Sequence, residues 1–284
     1  MFLLSFNRKA TALFVLLSAV LSLFPQTESR AHETIVIGGV GSALGAMRMI
    51  ADDFEKSHAG VKVKLLPSLG STGGVKAVVT GAIEIGLAGR ELHQEEKQQG
   101  AVAQEYARSP LVFVANKSAP VTGLSTQNVV AIYDGNMLNW SDGSRLRLVL
   151  RPASDVDTRL VKEISPAVSR AVDSAHSRSG MIIAITNQES DSLVERMSGA
   201  LGVSTMTQVI SEKRSLKVLS LDGVMPGVRA LSDGSYRLHK RFFLVTRPNP
   251  TASVQKFLRF VQSREGGRLL EKSGNIPLPY GAGR

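Results

Sequence analysis

The stretch TIVIGGVGS, residues 34–42, is a β-branched run that ends in a glycine-rich turn. Apolar side chains then recur at helical spacing across residues 43–56, which predicts an amphipathic helix. We expect Ser42 to be the N-cap of this helix, because a serine hydroxyl readily accepts a hydrogen bond from the first helical turn. A strand, a glycine-rich turn and a helix in direct succession indicate one unit of an α/β fold.

Two more strands extend this pattern. Residues 61–66 are a second predicted strand, and the predicted loop PSLGSTGG, residues 67–74, leads into a second helix that begins at Val75. Residues 83–88 form an almost continuous apolar run, which is typical of a buried parallel strand. The order strand, helix, strand, helix, strand predicts an α/β fold with a parallel sheet.

The composition excludes several classes of protein. The chain has 284 residues, of which 43% are hydrophobic and 20% are charged, and this composition is globular. At about 150 residues per domain, the length indicates roughly two domains. The chain contains no Cys, which excludes disulfides, Cys-based zinc sites, iron–sulfur clusters and a Cys nucleophile. The five His have no metal-ligand spacing, so we expect neither a metal nor another cofactor.

The N-terminus is typical of a secretory signal peptide, residues 1–31. Two basic residues precede the apolar run 10–24, and Ser29 and Ala31 offer the small side chains of a cleavage site. This run is shorter than the about 20 residues that span a bilayer. We therefore expect an exported protein that begins near residue 32.

Charge gives a weaker indication of the ligand. The formal net charge is +10, and the expected signal peptide carries +2, which leaves +8 for the mature chain. Such a surface attracts anions. No Lys/Arg run is interleaved with aromatic residues, so we expect no nucleic-acid partner.

Three segments share a design that suits anion binding. A strand is followed by a turn rich in Gly, Ser or Thr and then by a helix at residues 41–42, 70–73 and 151–158. Helix N-termini expose unpaired N–H groups and carry roughly +0.5 of a charge each. Three converging ends would hold a dianion, and Arg151 would add a planar fork of donors. The alternative is that each is an ordinary turn with an N-cap.

Other chemistry has less support. The glycines after the first strand suggest a dinucleotide fold, but no acidic residue ends the second strand to hold a ribose. No serine lies in a Gly-x-Ser-x-Gly nucleophile elbow. Asp155 and Asp157 could form a carboxylate pair, although a helix N-cap or first-turn acid is the simpler interpretation for at least one of them. Trp140 is interpreted as a packing residue rather than a ligand contact.

One motif is specific enough to indicate a family. The run GSTGGVK, residues 70–76, resembles the most specific signature of the periplasmic phosphate-binding proteins of ABC importers. Segments similar to later motifs of that family follow in order across most of the mature chain, at residues 83–86, 90–92, 134–140, 199–202, 216–223, 234–236, 257–267 and 274–278.

The resemblance implies a fold class and a domain organisation. The expected fold is α/β, a two-lobed periplasmic binding protein (type II) with parallel-rich sheets flanked by helices and a ligand cleft between the lobes. Behind the signal peptide 1–31, lobe one would comprise residues 32–112 and 243–284, and lobe two residues 113–242. The lobes would close on a small inorganic oxyanion.

The resemblance also implies where the ligand binds. The family's first hydroxyl corresponds to Ser42, its neighbouring backbone N–H to Ala43, its loop hydroxyl to Ser71, and its Arg to Arg151. With flanking residues, the expected ligand-binding set is Ser42, Ala43, Ser71, Thr72, Gly73, Arg90, Arg151, Ser154, Asp155, Asp157 and Thr158.

Two departures from the family pattern affect this set. The family's Arg is usually followed by a Ser-Gly-Thr cluster of donors, whereas Asp155 and Asp157 stand in that stretch here, with Ser154 and Thr158 as candidate replacements. Many members also carry a carboxylate after the third strand, where this chain has Gly89. Such an acceptor favours a protonated oxyanion over sulfate. Either aspartate could supply it from the other lobe; otherwise the ligand is an anion other than phosphate.

The sequence therefore predicts a binding protein rather than an enzyme. We expect a periplasmic monomer that captures phosphate or a related tetrahedral oxyanion and delivers it to an ABC permease in the inner membrane. A second hypothesis is an exported sensor or adaptor of the same fold that acts through a protein partner. A third is a secreted hydrolase.

Overall fold

The computed structural model describes residues 33–278. The expected signal peptide, residues 1–31, lies outside the described residues. No helix within this described part is both long enough and apolar enough to cross a membrane.

Helices and strands alternate through most of the described chain. The strands are β1 (Glu33–Gly39), β2 (Val61–Leu65), β3 (Ile85–Ala88), β4 (Val102–Asn116), β5 (Gly123–Leu124), β6 (Arg147–Leu150), β7 (Ile182–Ile183), β8 (Ala200–Thr205), β9 (Leu216–Val218), β10 (Ser220–Leu221), β11 (His239–Thr246) and β12 (Ile276–Pro277). The helices are α1 (Leu44–Ser57), α2 (Gly70–Val79), α3 (Gln94–Gln98), α4 (Thr126–Asp134), α5 (Val156–Lys162), α6 (Pro166–Ser177), α7 (Asn187–Arg196), α8 (Met206–Ser211), α9 (Val228–Ser232), α10 (Ala252–Val261) and α11 (Arg264–Lys272).

The main sheet is mixed. Its strand order is β2-β1-β3-β11-β4-β8-β6-β7, and β9 and β12 also pair with β4. Strands β1, β2 and β3 are parallel, as are β6, β7 and β8, whereas β11 and β4 make antiparallel pairs at the centre. The expected α/β class is confirmed, with the parallel pairing confined to the two ends of the sheet.

The long strand β4 joins two lobes. Its residues up to Pro110 pair with β11, and from Leu111 onward they pair with β8. One hydrophobic cluster packs α1 against the β1 side of the sheet, and another packs α4 and α6 against the β6 and β8 side. The lobe boundaries that we expect, 112/113 and 242/243, fall inside β4 and β11.

The glycine-rich segment expected to be a loop is largely helical. Helix α2 begins at Gly70 rather than at Val75. A Cβ on Gly74 would lie 2.7 Å from the Gly39 Cα, so the bare glycine lets α2 pack directly on β1. Glycine weakens an isolated helix, but here tertiary packing outweighs that intrinsic preference.

The expectation that Ser42 caps the first helix is wrong. A 3₁₀ turn, Gly41–Ala43, follows β1, and α1 then begins at Leu44 without a side-chain cap. Ser42 lies inside that turn, and its side chain is fully buried. Its hydroxyl is therefore not used by the helix.

Candidate functional site

The first part of the site lies where β1 and β3 end. Ser42 and the buried Ala43 follow β1 directly. Ser71 is in the first turn of α2, and its Oγ accepts a hydrogen bond of 2.9 Å from the backbone N–H of Gly89, which follows β3. Because a hydroxyl can accept and donate at once, Ser71 keeps its own proton for a ligand.

Arg151 is a buried cation in the expected second lobe. It follows β6 and is 4% exposed. Its Nη1 donates to the carbonyl oxygen of Ala184, and its Nη2 lies 2.8 Å from Asp155 Oδ2. Its Nε has no hydrogen-bond partner within residues 33–278. The guanidinium is thus held in one orientation, with Nη1 and Nη2 each bonded and with Nε as the nitrogen that has no partner among the described residues.

Asp155 has a structural task at the start of α5. Its Oδ1 accepts from the backbone N–H of Asp157 at 2.8 Å, while its Oδ2 holds Arg151. The interpretation of Asp155 as an N-cap and Asp157 as a first-turn acid is confirmed.

The two candidate replacement donors are placed less favourably. Thr158 is buried, and its Oγ1 donates to the carbonyl oxygen of Pro152 at 2.9 Å. Its proton is therefore already engaged by the main chain. Ser154 is exposed.

Asp157 makes the most buried ion pair of this region. Its Oδ1 lies 2.6 Å from Lys240 Nζ, and its Oδ2 accepts from Asn187 Nδ2 at 2.8 Å. Asp157 and Lys240 are 0% and 1% exposed. Lys240 belongs to β11, and its Cε occupies the space where a Cβ of Gly89 would be. Gly89 thus contacts both Ser71 and Lys240.

The start of α7 closes the other side of the site. Gln188 Nε2 donates to the carbonyl oxygen of Gly41 at 2.9 Å and to Glu212 Oε1 at 2.8 Å. Its neighbour Asn187 bonds to Asp157. These contacts link the Ser42 turn in one expected lobe to α5 and α7 in the other.

Arg90 is part of a different contact network. Its guanidinium pairs with both oxygens of Glu96 at 2.7 and 2.8 Å, and it donates to Thr72 Oγ1 at 3.1 Å. Hydrogen bonding from Arg90 holds the pKa of Glu96 below its usual value, although partial burial opposes the shift. Thr72 is exposed, and Gly73 is half-buried. Arg90 therefore contacts the start of α2 through Thr72, and Glu96 neutralises its charge.

A groove lies beside this region, although none of Ser42, Ser71 and Arg151 lines it. Its volume is about 740 Å³, and its walls include Gly89 and Arg90 on one side and Val156 and Arg159 of α5 on the other. The groove adjoins the site at two points, since Gly89 contacts Ser71 and Val156 lies between the two aspartates.

Sequence reasoning missed Lys240, Asn187 and Gln188. Lys240 stands beside Arg241 at the start of an apolar strand, so it resembles an ordinary solvated cation in the sequence. Its partner Asp157 is 83 positions away. Trp140, by contrast, is buried, and its Nε1 donates to the carbonyl oxygen of Gly199 at 2.9 Å, which confirms its role in packing.

The arrangement suits a ligand rich in hydrogen-bond acceptors. Ser42 Oγ, like Arg151 Nε, is buried and has no partner among the described residues. Buried polar atoms normally have one. Together with the Ser71 proton and the first amides of α2, these donors can bind an oxyanion.

Comparisons with known proteins agree with this geometry. A family model described as a PBP superfamily domain matches residues 25–265. The chain is 23% identical to the phosphate-binding protein PstS of Borreliella burgdorferi over 281 residues, which cover 95% of this chain and 99% of that relative. It is 35% identical to the phosphate-binding protein PstS 2 of Streptococcus agalactiae over 111 residues, which cover 39% of this chain and 38% of that relative.

A solved structure is similar over a comparable length. It is a protein from Clostridium perfringens that is named as a phosphate ABC transporter substrate-binding protein and contains bound phosphate. The two share 25% identity with a TM-score of 0.75, over 87% of this chain and 100% of the other. The family resemblance indicated by residues 70–76 is confirmed.

Proposed function

Because the chain belongs to the PBP superfamily, we propose that it is a solute-binding protein that captures phosphate or a related tetrahedral oxyanion. The observation that carries this proposal is the set of buried donors from both sides of β4. Ser42 Oγ and Arg151 Nε have no partner among residues 33–278, and Ser71 Oγ accepts a bond while keeping its proton. A tetrahedral anion offers several acceptor atoms to such donors.

In this proposal the ligand contacts are the hydroxyls of Ser42 and Ser71, the backbone N–H of Ala43 and the guanidinium of Arg151. Asp155 orients Arg151 rather than touching the ligand, because both of its oxygens are already engaged. Ser154 and Thr158 are the weakest members of the expected set.

We place this function in the periplasm, with delivery to an ABC permease. The N-terminal sequence supports export, and the relative solved with bound phosphate is named as part of a phosphate ABC transporter. No bond is broken in this role. The ligand stabilises a closed form through contacts that the open form lacks, and the permease recognises that closed monomer.

Calorimetry tests the proposal directly. Protein freed of ligand by partial unfolding and refolding is titrated with phosphate, arsenate, sulfate and molybdate. We expect one phosphate or arsenate per chain, with sulfate bound more weakly. Absence of heat with all four anions would remove the oxyanion function.

A further inference from the structure

The Asp157–Lys240 ion pair calls for an explanation beyond stability. Both side chains are almost completely buried, with Oδ1 and Nζ 2.6 Å apart. A buried ion pair loses so much hydration that apolar residues of similar volume often stabilise a fold as well or better. The pair also stands beside Gly89 and Asn187, which connect it to the turns that carry Ser71 and Ser42.

The charges of this region are balanced before any ligand arrives. Arg151 is paired with Asp155, and Lys240 is paired with Asp157. Asp155 is fixed in place, because it also caps α5 through the Asp157 N–H. The carboxylate of Asp157, by contrast, bonds to two side chains only, those of Lys240 and Asn187. No backbone group bonds to it among the described residues.

We infer that Asp157 is a tethered competitor of the ligand for Lys240. In the unliganded protein its carboxylate occupies the position at the ammonium group that a bound oxyanion takes over. When the anion enters, Asp157 withdraws from Lys240 and keeps its bond to Asn187. Lys240 thereby becomes a ligand-binding residue. Competition from the Asp157 carboxylate lowers the affinity for the anion. This inference rests on the proposed function for the identity of the anion.

The variant Asp157→Asn tests this inference with inorganic phosphate as the probe. Asparagine keeps the shape and the oxygen that accepts from Lys240, but it removes the competing charge. We expect phosphate affinity to rise at least tenfold over the wild type in calorimetry. The matched control is Asp173→Asn, which changes the net charge equally at an exposed ion pair with Lys162 and should alter affinity less than twofold. An unchanged or weaker affinity of Asp157→Asn overturns the inference.

The two ideas fail in different experiments. If the wild type binds phosphate and Asp157→Asn binds it no more tightly, the proposed function stands and the inference is overturned. If the wild type binds no phosphate while Asp157→Asn does, the inference is supported and the ligand of the wild type is a different anion. If neither protein binds phosphate, the inference is overturned, and the titration with all four anions decides the proposed function.

A second measurement covers the case in which Asp157→Asn does not fold. A crystal structure of the wild type with phosphate should show Lys240 Nζ within hydrogen-bond distance of a phosphate oxygen and Asp157 Oδ1 moved away. Phosphate bound with the 2.6 Å contact intact would contradict the inference.

Discussion

At the scale of single residues, the site is organised by what each polar atom already bonds to. Arg151 and Asp155 illustrate the point. Nη1 and Nη2 of Arg151 bond to Ala184 and to Asp155 Oδ2, which fixes the orientation of the guanidinium, and Asp155 Oδ1 caps α5. Among the described residues, Arg151 Nε and Ser42 Oγ have no partner, and the Ser71 hydroxyl accepts a bond from Gly89 but keeps its own proton. In the proposed function, these donors bind the anion.

Removing the Arg151 side chain should weaken anion binding strongly. The variant Arg151→Ala loses a buried charged partner, and we expect a loss of about 2–5 kcal/mol of binding free energy. Calorimetry with phosphate gives the value, and thermal unfolding reports any loss of fold. Arg147→Ala is the control, since Arg147 is four residues earlier and exposed, and its guanidinium bonds to the Ser198 carbonyl oxygen. Equal affinities for the two variants would place the site elsewhere.

Asp191 should make stability depend on pH. Burial is the main reason that the pKa of this carboxyl rises to about 8, and Glu212 and Glu195 add to the rise, whereas Ser204 and Arg214 oppose it. The folded protein thus holds the proton more tightly than the unfolded chain, whose carboxyl has its ordinary value of 3.8. The stabilisation is complete below about pH 4 and is lost as pH rises towards 8.

Chemical unfolding between pH 4 and 9 measures this dependence. We expect Asp191 to lower the free energy of unfolding by at most about 1.4 kcal/mol per pH unit across that window. Asp191→Asn should flatten the decline and be more stable than the wild type at pH 8. A slope identical to the wild type would assign the dependence to other groups.

At the scale of elements, close packing of short segments brings the donors to one edge of the sheet. Helix α2 lies directly on β1 because Gly74 has no side chain, and this places Ser71 beside Gly89. The 3₁₀ turn after β1 buries Ser42 without using its hydroxyl as a cap. The site depends on how elements meet as much as on the residues at their ends.

The packing of α2 can be tested by adding one methyl group. In Gly74→Ala the new Cβ would lie 2.7 Å from a backbone atom of β1, so the helix must shift. We expect a loss of about 1–3 kcal/mol of stability, as for other overpacked cores. Gly73→Ala is the matched control: its nearest neighbour is the Leu69 Cβ at 3.3 Å, and alanine favours the helix. Urea unfolding should show Gly74→Ala clearly less stable than Gly73→Ala.

At the scale of the whole molecule, β4 connects the two halves of the main sheet, and side-chain contacts around the site connect them as well. Gln188 connects α7 to the turn that holds Ser42, and Asp157 connects α5 to β11. Such contacts exist only when the two expected lobes approach each other. A ligand that joins the same surfaces favours the closed form.

Gln188 should therefore slow the release of ligand. The variant Gln188→Ala loses its hydrogen bonds to the Gly41 carbonyl and to Glu212, and one neutral bond contributes about 0.5–1.5 kcal/mol. We expect phosphate affinity to fall by roughly two- to tenfold, mainly through faster dissociation in stopped-flow fluorescence. The control is Gln255→Ala, which removes an exposed amide of α10 that bonds to the Pro250 carbonyl oxygen. If both variants release phosphate at the wild-type rate, this contact does not belong to closure.

Much of the fold is readable in local patterns. β-Branched runs, helical spacing and the GSTGGVK motif of residues 70–76 are short-range features, and they were sufficient for the α/β class, for the family and for Ser42, Ser71 and Arg151 as candidates. Each of these features depends on residues within one helical turn or one strand. The amino-acid sequence is therefore sufficient to predict them.

The sequence does not predict which charged groups pair with one another. Lys240 and Asp157 are in contact although 83 positions separate them, and Arg90 pairs with Glu96. Such pairing depends on which strands become neighbours and on how much water the packing excludes, since burial sets the cost of every unpaired charge. Long-range packing therefore determines which donors lack a partner among the described residues. Local sequence patterns do not predict this, because the partners are far apart in the chain.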